Sequence, residues 1–162
     1  MIIQDQIPVK KMKNIILILI AVFLVSPLFS QEIELKNGKY YQGRKLYSGE
    51  YTEYYEDGTV KSERTLKKGL PHGLAITYHD NGVKKEQQSY IMGLKDGTWI
   101  SWDEQGNKTG EASYVMNEKH GPWYIWDENG TLRYEMFYDE GEKTGTWVMW
   151  DEQGNEVMRK EY

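Results

Sequence analysis

The stretch GTWISWDEQG, at residues 97–106, decides the fold of this chain. A run rich in aromatic and β-branched side chains is followed by an acidic pair, an amide and a glycine, an order typical of a β-strand that ends in a tight hairpin turn. The stretch recurs with a period of 24 residues, and the glycine that opens each unit stands at Gly49, Gly73, Gly97, Gly121 and Gly145. This fixed period predicts an array in which each unit packs on its neighbours.

A more polar segment follows each hairpin glycine, as in NKTGEASYVM at 107–116, and predicts a second strand in every unit. The turn between units holds only Gly or Asn, at Gly69, Gly93, Asn117 and Gly141. These residues adopt positive φ most readily, so this turn position is expected to require a positive φ angle. Residues 38–42 predict a lone leading strand. The sequence therefore predicts an all-β antiparallel array of β-hairpins, with no helix after residue 31.

Alternation along a strand divides the side chains of the first strands between two faces. One face is apolar in every unit and predicts the core: Thr52, Ile76, Ile100, Tyr124, Val148, Tyr54, Tyr78, Trp102, Trp126 and Trp150. The opposite face carries a second aromatic column, Tyr51, Trp99, Trp123 and Trp147. A flat sheet cannot bury two aromatic faces, so we expect a twisted, curling sheet. The second column is the candidate interaction surface, and its burial by the curling sheet is the alternative.

The pattern G-x-W-x-x-W-D-E-x-G, followed by a polar strand with one Tyr and a Gly-bearing turn, resembles the MORN-repeat variant. More narrowly, it resembles the bacterial proteins known as YwqK-family antitoxins. The resemblance covers residues 38–162. It implies a rolled all-β hairpin array, a role in protein or membrane association, and no catalytic residues. The narrower resemblance implies a toxin as the partner.

The segment at 10–31 is typical of a secretory signal peptide. It begins with basic residues, continues with an unbroken apolar run, and ends with a small residue, Ser30, after which cleavage is expected. Met12 is an alternative start. The apolar run is shorter than the about 20 residues that a membrane span needs, which favours a cleaved signal over an inner-membrane anchor. We therefore expect a signal peptide at 1–30, a repeat domain at 31–162, and export to the periplasm or the extracellular space.

The composition limits the partners. The chain has no cysteine, which excludes disulfides and thiolate metal sites. An exported chain without disulfides suits a bacterial envelope. The net charge of −5 argues against a nucleic acid partner and against electrostatic docking on anionic lipid. Contact with a membrane is therefore expected only through the N-terminal segment, if that segment is uncleaved.

Acidic loops and histidines are the candidate metal ligands. The loops are Asp103-Glu104, Asp127-Glu128 and Asp151-Glu152. Successive loops lie about 10 Å apart in a hairpin array, whereas one Ca²⁺ ion needs oxygens at about 2.3–2.6 Å. His72 and His120 share one turn slot, and His79 replaces a hairpin Asp, so the three imidazoles belong to separate units. Turn chemistry is the better interpretation. No metal, cofactor or catalytic residue is predicted, because nucleophile and phosphate-loop motifs are also missing.

The sequence thus predicts a non-catalytic exported protein that acts as a protein–protein interaction module. One alternative is an envelope protein that binds carbohydrate or lipid through Tyr51, Trp99, Trp123 and Trp147. Another is an antitoxin-like partner that neutralises a toxin. The open edge of the last strand also suits a homodimer.

Overall fold

The computed structural model describes residues 32–162. They form one compact unit of fourteen β-strands in two sheets, and this part of the chain contains no helix. Accordingly, none of the described residues belongs to a helix long and apolar enough to cross a membrane. The predicted signal peptide at 1–30 lies outside the described residues. The all-β prediction is confirmed.

A small sheet comes first and a large one follows. The small sheet contains β1 (Ile33–Lys36), β2 (Lys39–Gln42) and β3 (Lys45–Leu46). The large sheet contains β4 (Gly49–Tyr54), β5 (Val60–Lys67), β6 (Leu70–Tyr78), β7 (Lys84–Ile91), β8 (Leu94–Lys95), β9 (Gly97–Trp102), β10 (Lys108–Val115), β11 (Glu118–Trp126), β12 (Leu132–Asp139), β13 (Glu142–Trp150) and β14 (Glu156–Glu161). Within each sheet, strands adjacent in sequence pair antiparallel, except that β8 and β9 both pair with β7. The chain is therefore the predicted meander.

An Asp or Asn side chain stabilises the turn inside each unit by accepting a backbone amide of that turn. In the third unit the carboxylate of Asp103 accepts the amides of Gln105 and Asn107, at 3.0 and 2.8 Å. Gly106 follows at φ 87°, a left-handed conformation that favours glycine. The pairing register of the hairpin shifts just beyond this turn, as it does in the other four units. Such bulges increase the local twist of the sheet.

The turn between units has two residues, both at positive φ. Met116 and Asn117 have φ values of 48° and 77°, as a type I′ hairpin turn requires. The predicted Gly or Asn slot is therefore a positive-φ position. The polar residue before the opening glycine stabilises the same turn in the first three units. The side chains of Ser48, His72 and Asp96 accept the backbone amides of Lys68, Met92 and Met116, respectively.

The prediction that residues 38–42 form a lone leading strand is wrong. Its residues form β2, the middle strand of the small sheet. Tyr40 of β2 is only 7% exposed, and its hydroxyl accepts a hydrogen bond from Arg64 of β5 at 2.8 Å. The backbone amide of Tyr40 also donates to the carbonyl of Gly69 at 2.9 Å. The small sheet thus covers the N-terminal end of the large sheet.

The structure also corrects the prediction of which face of the large sheet is buried. Among the ten residues predicted as core, only Val148 is buried, and Tyr54 is 61% exposed. The other buried apolar side chains of the large sheet lie on the opposite face: Leu66, Ala75, Tyr138 and Trp147. The core therefore forms around the second aromatic column, where rings from neighbouring strands meet.

Candidate functional site

Seven aromatic rings form one continuous column, which we call the aromatic ladder. Tyrosine and tryptophan alternate along it, and neighbouring ring centroids are 4.8–5.3 Å apart. Neighbouring rings are tilted by 50–62°, within the arrangements that aromatic pairs favour. The members are Tyr90, Trp99, Tyr114, Trp123, Tyr138, Trp147 and Tyr162. The ladder holds the last three units and the end of the second together.

The glycine that opens a unit lies directly opposite a ladder tyrosine in the third and fourth units, where Gly97 pairs with Tyr114 and Gly121 pairs with Tyr138. A Cβ on Gly97 would lie 3.3 Å from Ser89 Oγ, and a Cβ on Gly121 would lie 3.6 Å from Ser113 Cβ. Both glycines have positive φ, so the backbone conformation favours glycine at these positions.

Each ladder tryptophan is fixed by a hydrogen bond. Its indole N–H donates at 3.0 Å to a backbone carbonyl of the preceding strand. The acceptors for Trp99, Trp123 and Trp147 are Ser89, Ser113 and Phe137, respectively. A half-buried indole that keeps its polar partner can pack its apolar ring without a desolvation cost.

A column of lysines lies over the ladder. Each lysine places Nζ 4.2–4.9 Å from the centroids of a ladder tryptophan and the next ladder tyrosine. The three lysines are Lys95, Lys119 and Lys143. Each such cation–π contact contributes about 0.5–1 kcal/mol at an exposed site. Sequence analysis missed these residues, although a lysine stands four positions before the ladder tryptophan in each of the last three units.

The pKa values of the ladder tyrosines shift in opposite directions in the middle of the ladder and at its last ring. Burial raises the pKa of Tyr114 above the ordinary tyrosine value. Burial also acts to raise the pKa of Tyr162, but Lys160 and Lys143 outweigh it, so the pKa of Tyr162 is lowered. Tyr162 is thus a solvent-exposed ring of the ladder that lies beside two lysines.

The predicted interaction surface divides between two places. Trp99, Trp123 and Trp147 belong to the ladder, and Trp147 is only 9% exposed. Tyr51 lies apart from them and contacts Tyr40, with ring centroids 5.1 Å apart. Each tryptophan of this surface contacts a tyrosine on both sides, so a partner would reach the rings only from outside the ladder. Their role in binding stays a prediction.

A shallow depression lies between two of the ladder tryptophans. Trp99 and Trp123 stand on either side of Ala112, which is the direct partner of both. In the next unit the same position holds Met136. Ala112 therefore leaves a gap, which extends over Gly110 to give a depression of about 200 Å³. Two indole rings beside small residues make a site that a flat ring could enter.

A row of apolar side chains crosses the last four strands on the ladder face. Ile125 pairs with Tyr134, Tyr134 with Met149, and Met149 with Met158. We call these four residues the apolar row. Ile125, Tyr134 and Met158 are exposed. Sequence analysis did not single out the row, although its first-strand column changes from Glu, Thr and Ser to Ile and Met along the chain.

The same row is polar at the N-terminal end of the sheet. There, Glu53 accepts hydrogen bonds from Ser62 at 2.6 Å and from Arg64 at 2.8 Å. Arg64 also donates to Tyr40, so these polar groups are engaged with one another. The ladder face therefore has two ends of different character, and only the C-terminal end exposes apolar side chains in a continuous row.

The histidines have structural partners. His72 accepts the amide of Met92 at 3.3 Å, and His79 lies 3.0 Å from the carbonyl of Trp102. The Nδ1 atom of His120 lies 3.1 Å from the carboxylate of Asp139. Across residues 32–162 no three His, Asp or Glu side chains come together in a group that could hold a metal ion.

Comparison with known proteins identifies the repeats. The family described as MORN repeat variant matches residues 47–68, 71–92, 95–116 and 119–140, together more than half of the chain. Each match covers one predicted unit with its two strands. The fifth unit lies beyond these segments but forms the same hairpin, β13 and β14. No curated protein matches the chain.

Proposed function

This chain belongs to the MORN repeat variant family, and on that premise we propose that it is an exported, non-catalytic module that binds a protein partner. Repeats of this family are generally protein- or membrane-interaction modules, and the family is generally non-catalytic. The N-terminal segment with the pattern of a secretory signal supports export. A toxin-neutralising role, as in the YwqK antitoxins, is a narrower form of this proposal.

The observation that carries the proposal is the apolar row. Its members are direct cross-strand neighbours and extend to the edge strand β14. The centre of a protein–protein interface is depleted of charge and enriched in aromatic residues and methionine. Methionine side chains are flexible and adapt to different partners. Tyr134, Met149 and Met158 have this composition, whereas the equivalent N-terminal positions carry a hydrogen-bonded polar group.

Capture from an envelope extract tests the proposal. The purified chain should retain a protein partner, and Tyr134→Lys should abolish that capture by placing a charge in the centre of the apolar row. Tyr54→Lys is the matched control, because Tyr54 is an exposed tyrosine outside the apolar row. Capture that is unaffected by Tyr134→Lys, or no capture at all, would contradict the proposal. The intact mass of the exported product separately tests cleavage after Ser30.

A toxin as the partner makes its own prediction. If the captured protein inhibits growth when it is expressed alone, co-expression of this chain should restore growth, and the Tyr134→Lys variant should not. Normal growth in the presence of the captured protein alone would rule out the antitoxin-like form while leaving the binding function in place.

Carbohydrate binding is the second candidate, favoured by the depression between Trp99 and Trp123. Sugar rings stack on indole faces, and small residues at the floor leave space for such a ring. Peptidoglycan fragments, used as the probe, should quench tryptophan fluorescence. Ala112→Met should remove this effect by filling the depression, as Met136 does in the next unit. Quenching that survives Ala112→Met would argue against this site.

A further inference from the structure

Three tryptophans form a second row on the face of the large sheet opposite the ladder. They stand at the same position of the last three units, each at the end of a first strand, and we call them the opposite-face row. The members are Trp102, Trp126 and Trp150. All three are half-buried, although the sequence predicted them as core. Their rings are therefore partly accessible from outside the chain.

The indoles of the opposite-face row lack the hydrogen bonds that fix the ladder. Each ladder tryptophan donates its indole N–H to a backbone carbonyl, whereas across residues 32–162 no indole of the opposite-face row donates within the chain. Trp126 contacts the ring of Tyr124 at 5.7 Å and the ammonium group of Lys108 at 5.0 Å. Trp102 and Trp150 have neither kind of neighbour among the described residues. A tryptophan at an interface uses both its ring and its N–H, and here both are available.

The spacing of the row limits what can lie along it. Successive members are two strands apart in the sheet, a distance of about 9.6 Å. A polyproline II helix turns once in three residues of about 3.1 Å each, so it presents the same side about every 9.3 Å. A β-strand does so about every 6.7 Å, and an α-helix about 10.5 Å along, after seven residues. Polyproline II carbonyls also make no internal hydrogen bonds, so they can accept from the indoles.

An exposed glutamate follows each indole of the row by two residues. These are Glu104, Glu128 and Glu152, and in the part of the chain that the structure describes no lysine or arginine forms an ion pair with them. The intervening aspartate is engaged with its own turn, as Asp103 is with the amide of Asn107. Unpaired carboxylates along the row are complementary to a basic ligand.

We propose that a partner protein lays a basic, proline-rich segment along the opposite-face row in the polyproline II conformation. A proline at every third residue would stack on Trp102, Trp126 and Trp150 in turn. Basic residues between the prolines would face the exposed glutamates. Proline-rich segments are recognised on aromatic side chains in this way. The inference goes beyond the apolar row, because it uses the other face of the sheet and names the chemistry of the bound segment.

This chain contains no such segment. Its four prolines, Pro8, Pro27, Pro71 and Pro122, are far apart in the sequence, so no two of them could occupy one turn of a polyproline II helix. A second copy could therefore cover the row only by packing its sheet against it, which would make a dimer that depends on the three indoles.

A synthetic peptide of four Arg-Pro-Pro repeats is the probe. In nuclear magnetic resonance spectra of the purified chain, it should shift the indole N–H signals of the opposite-face row and leave those of the ladder tryptophans unchanged. Trp102→Ala should weaken binding about tenfold or more, as is typical of a tryptophan at the centre of an interface. Trp99→Phe, in the same strand but on the ladder face, is the matched control and should bind as the unchanged chain does.

Two altered peptides test the spacing and the charge separately. A glycine inserted into every repeat lengthens the period to four residues, so successive prolines no longer meet successive indoles. Replacement of every arginine by glutamate keeps the period but sets like charges against Glu104, Glu128 and Glu152. Neither peptide should shift the indole signals of the opposite-face row.

The proposal is wrong if the probe peptide leaves those signals unchanged, if the lengthened peptide binds equally well, or if Trp102→Ala has no effect. Two other results would assign the row to a different occupant. One is a shift of the same signals by peptidoglycan fragments but not by the probe peptide. The other is a dimer in sedimentation velocity that Trp102→Ala converts to a monomer.

Failure of this inference can be told apart from failure of the proposed function. If Tyr134→Lys abolishes capture of a partner from the extract while the probe peptide does not bind, the apolar row binds protein and the proline-rich segment is wrong. If the peptide binds as expected while Tyr134→Lys leaves capture unchanged, only the role of the apolar row is contradicted.

Discussion

Trp123 should contribute more to stability than Trp126, although the two stand in the same strand. Trp123 contacts Tyr114 and Tyr138 with ring centroids 5.2 and 5.3 Å away, and Lys119 lies 4.6 Å from its centroid. Its indole also donates to a backbone carbonyl. Trp126, on the opposite face, contacts one ring at 5.7 Å and one lysine at 5.0 Å.

These contacts set the expected magnitudes. Trp123→Ala removes two ring contacts, one hydrogen bond and one cation–π contact, together about 2–5 kcal/mol. This range overlaps the about 3–5 kcal/mol typical of Trp→Ala in a core. Trp126→Ala removes one ring contact and one cation–π contact, about 1–2.5 kcal/mol. The free energy of unfolding should therefore fall by about 2 kcal/mol more for Trp123→Ala.

Urea unfolding followed by far-ultraviolet circular dichroism measures the difference. For small domains the unfolding free energy falls by about 1–3 kcal/mol per molar urea, so the midpoint of Trp123→Ala should lie about 1 M below that of Trp126→Ala. Equal midpoints, or a lower midpoint for Trp126→Ala, would refute the assignment of the ladder face as the core. A smaller slope for Trp123→Ala would show that the units no longer unfold together.

Three further predictions concern local geometry. Gly110→Ala should destabilise by about 1–3 kcal/mol, because its Cβ would lie 2.7 Å from Ser101 Oγ, and Ser101→Ala should restore stability in the double variant. Asn117→Ala should lower the thermal midpoint more than Asn117→Gly, since alanine tolerates φ 77° poorly. Hydrogen bonds from the side chain and amide of Asn155 hold the pKa of Asp151 below its usual value. The stability it contributes is therefore complete above pH 3.8 and is lost as the pH falls through the lowered value; Asn155→Ala should raise that pKa in a carboxyl titration.

The hairpins and their joints could be predicted from the sequence because local chemistry fixes them. An Asp or Asn side chain in each inner turn accepts an amide of its own turn, and Gly or Asn at each connecting turn accepts positive φ. Five repetitions of these signals remove the ambiguity of any single one. The strand count at the N-terminus could not be predicted in this way, since β1 and β3 lie outside the repeat and are short.

The choice of buried face depended on partners that are distant in sequence. Trp123 and Trp126 belong to columns that look equally apolar along one strand. Trp123 is joined by Tyr114 and Tyr138 because the bulge and the two-residue turn set the register of both neighbouring strands. The apolar row arises in the same way, from Tyr134 and Met149 on separate strands.

The sequence by itself determined that this chain is an antiparallel array of hairpins with a fixed period, because turns depend on a few adjacent residues. Only the tertiary structure decided which aromatic column packs into a ladder and which side chains form the apolar row on the same face. Those outcomes depend on cross-strand register, where a shift of one residue would exchange the faces of every strand.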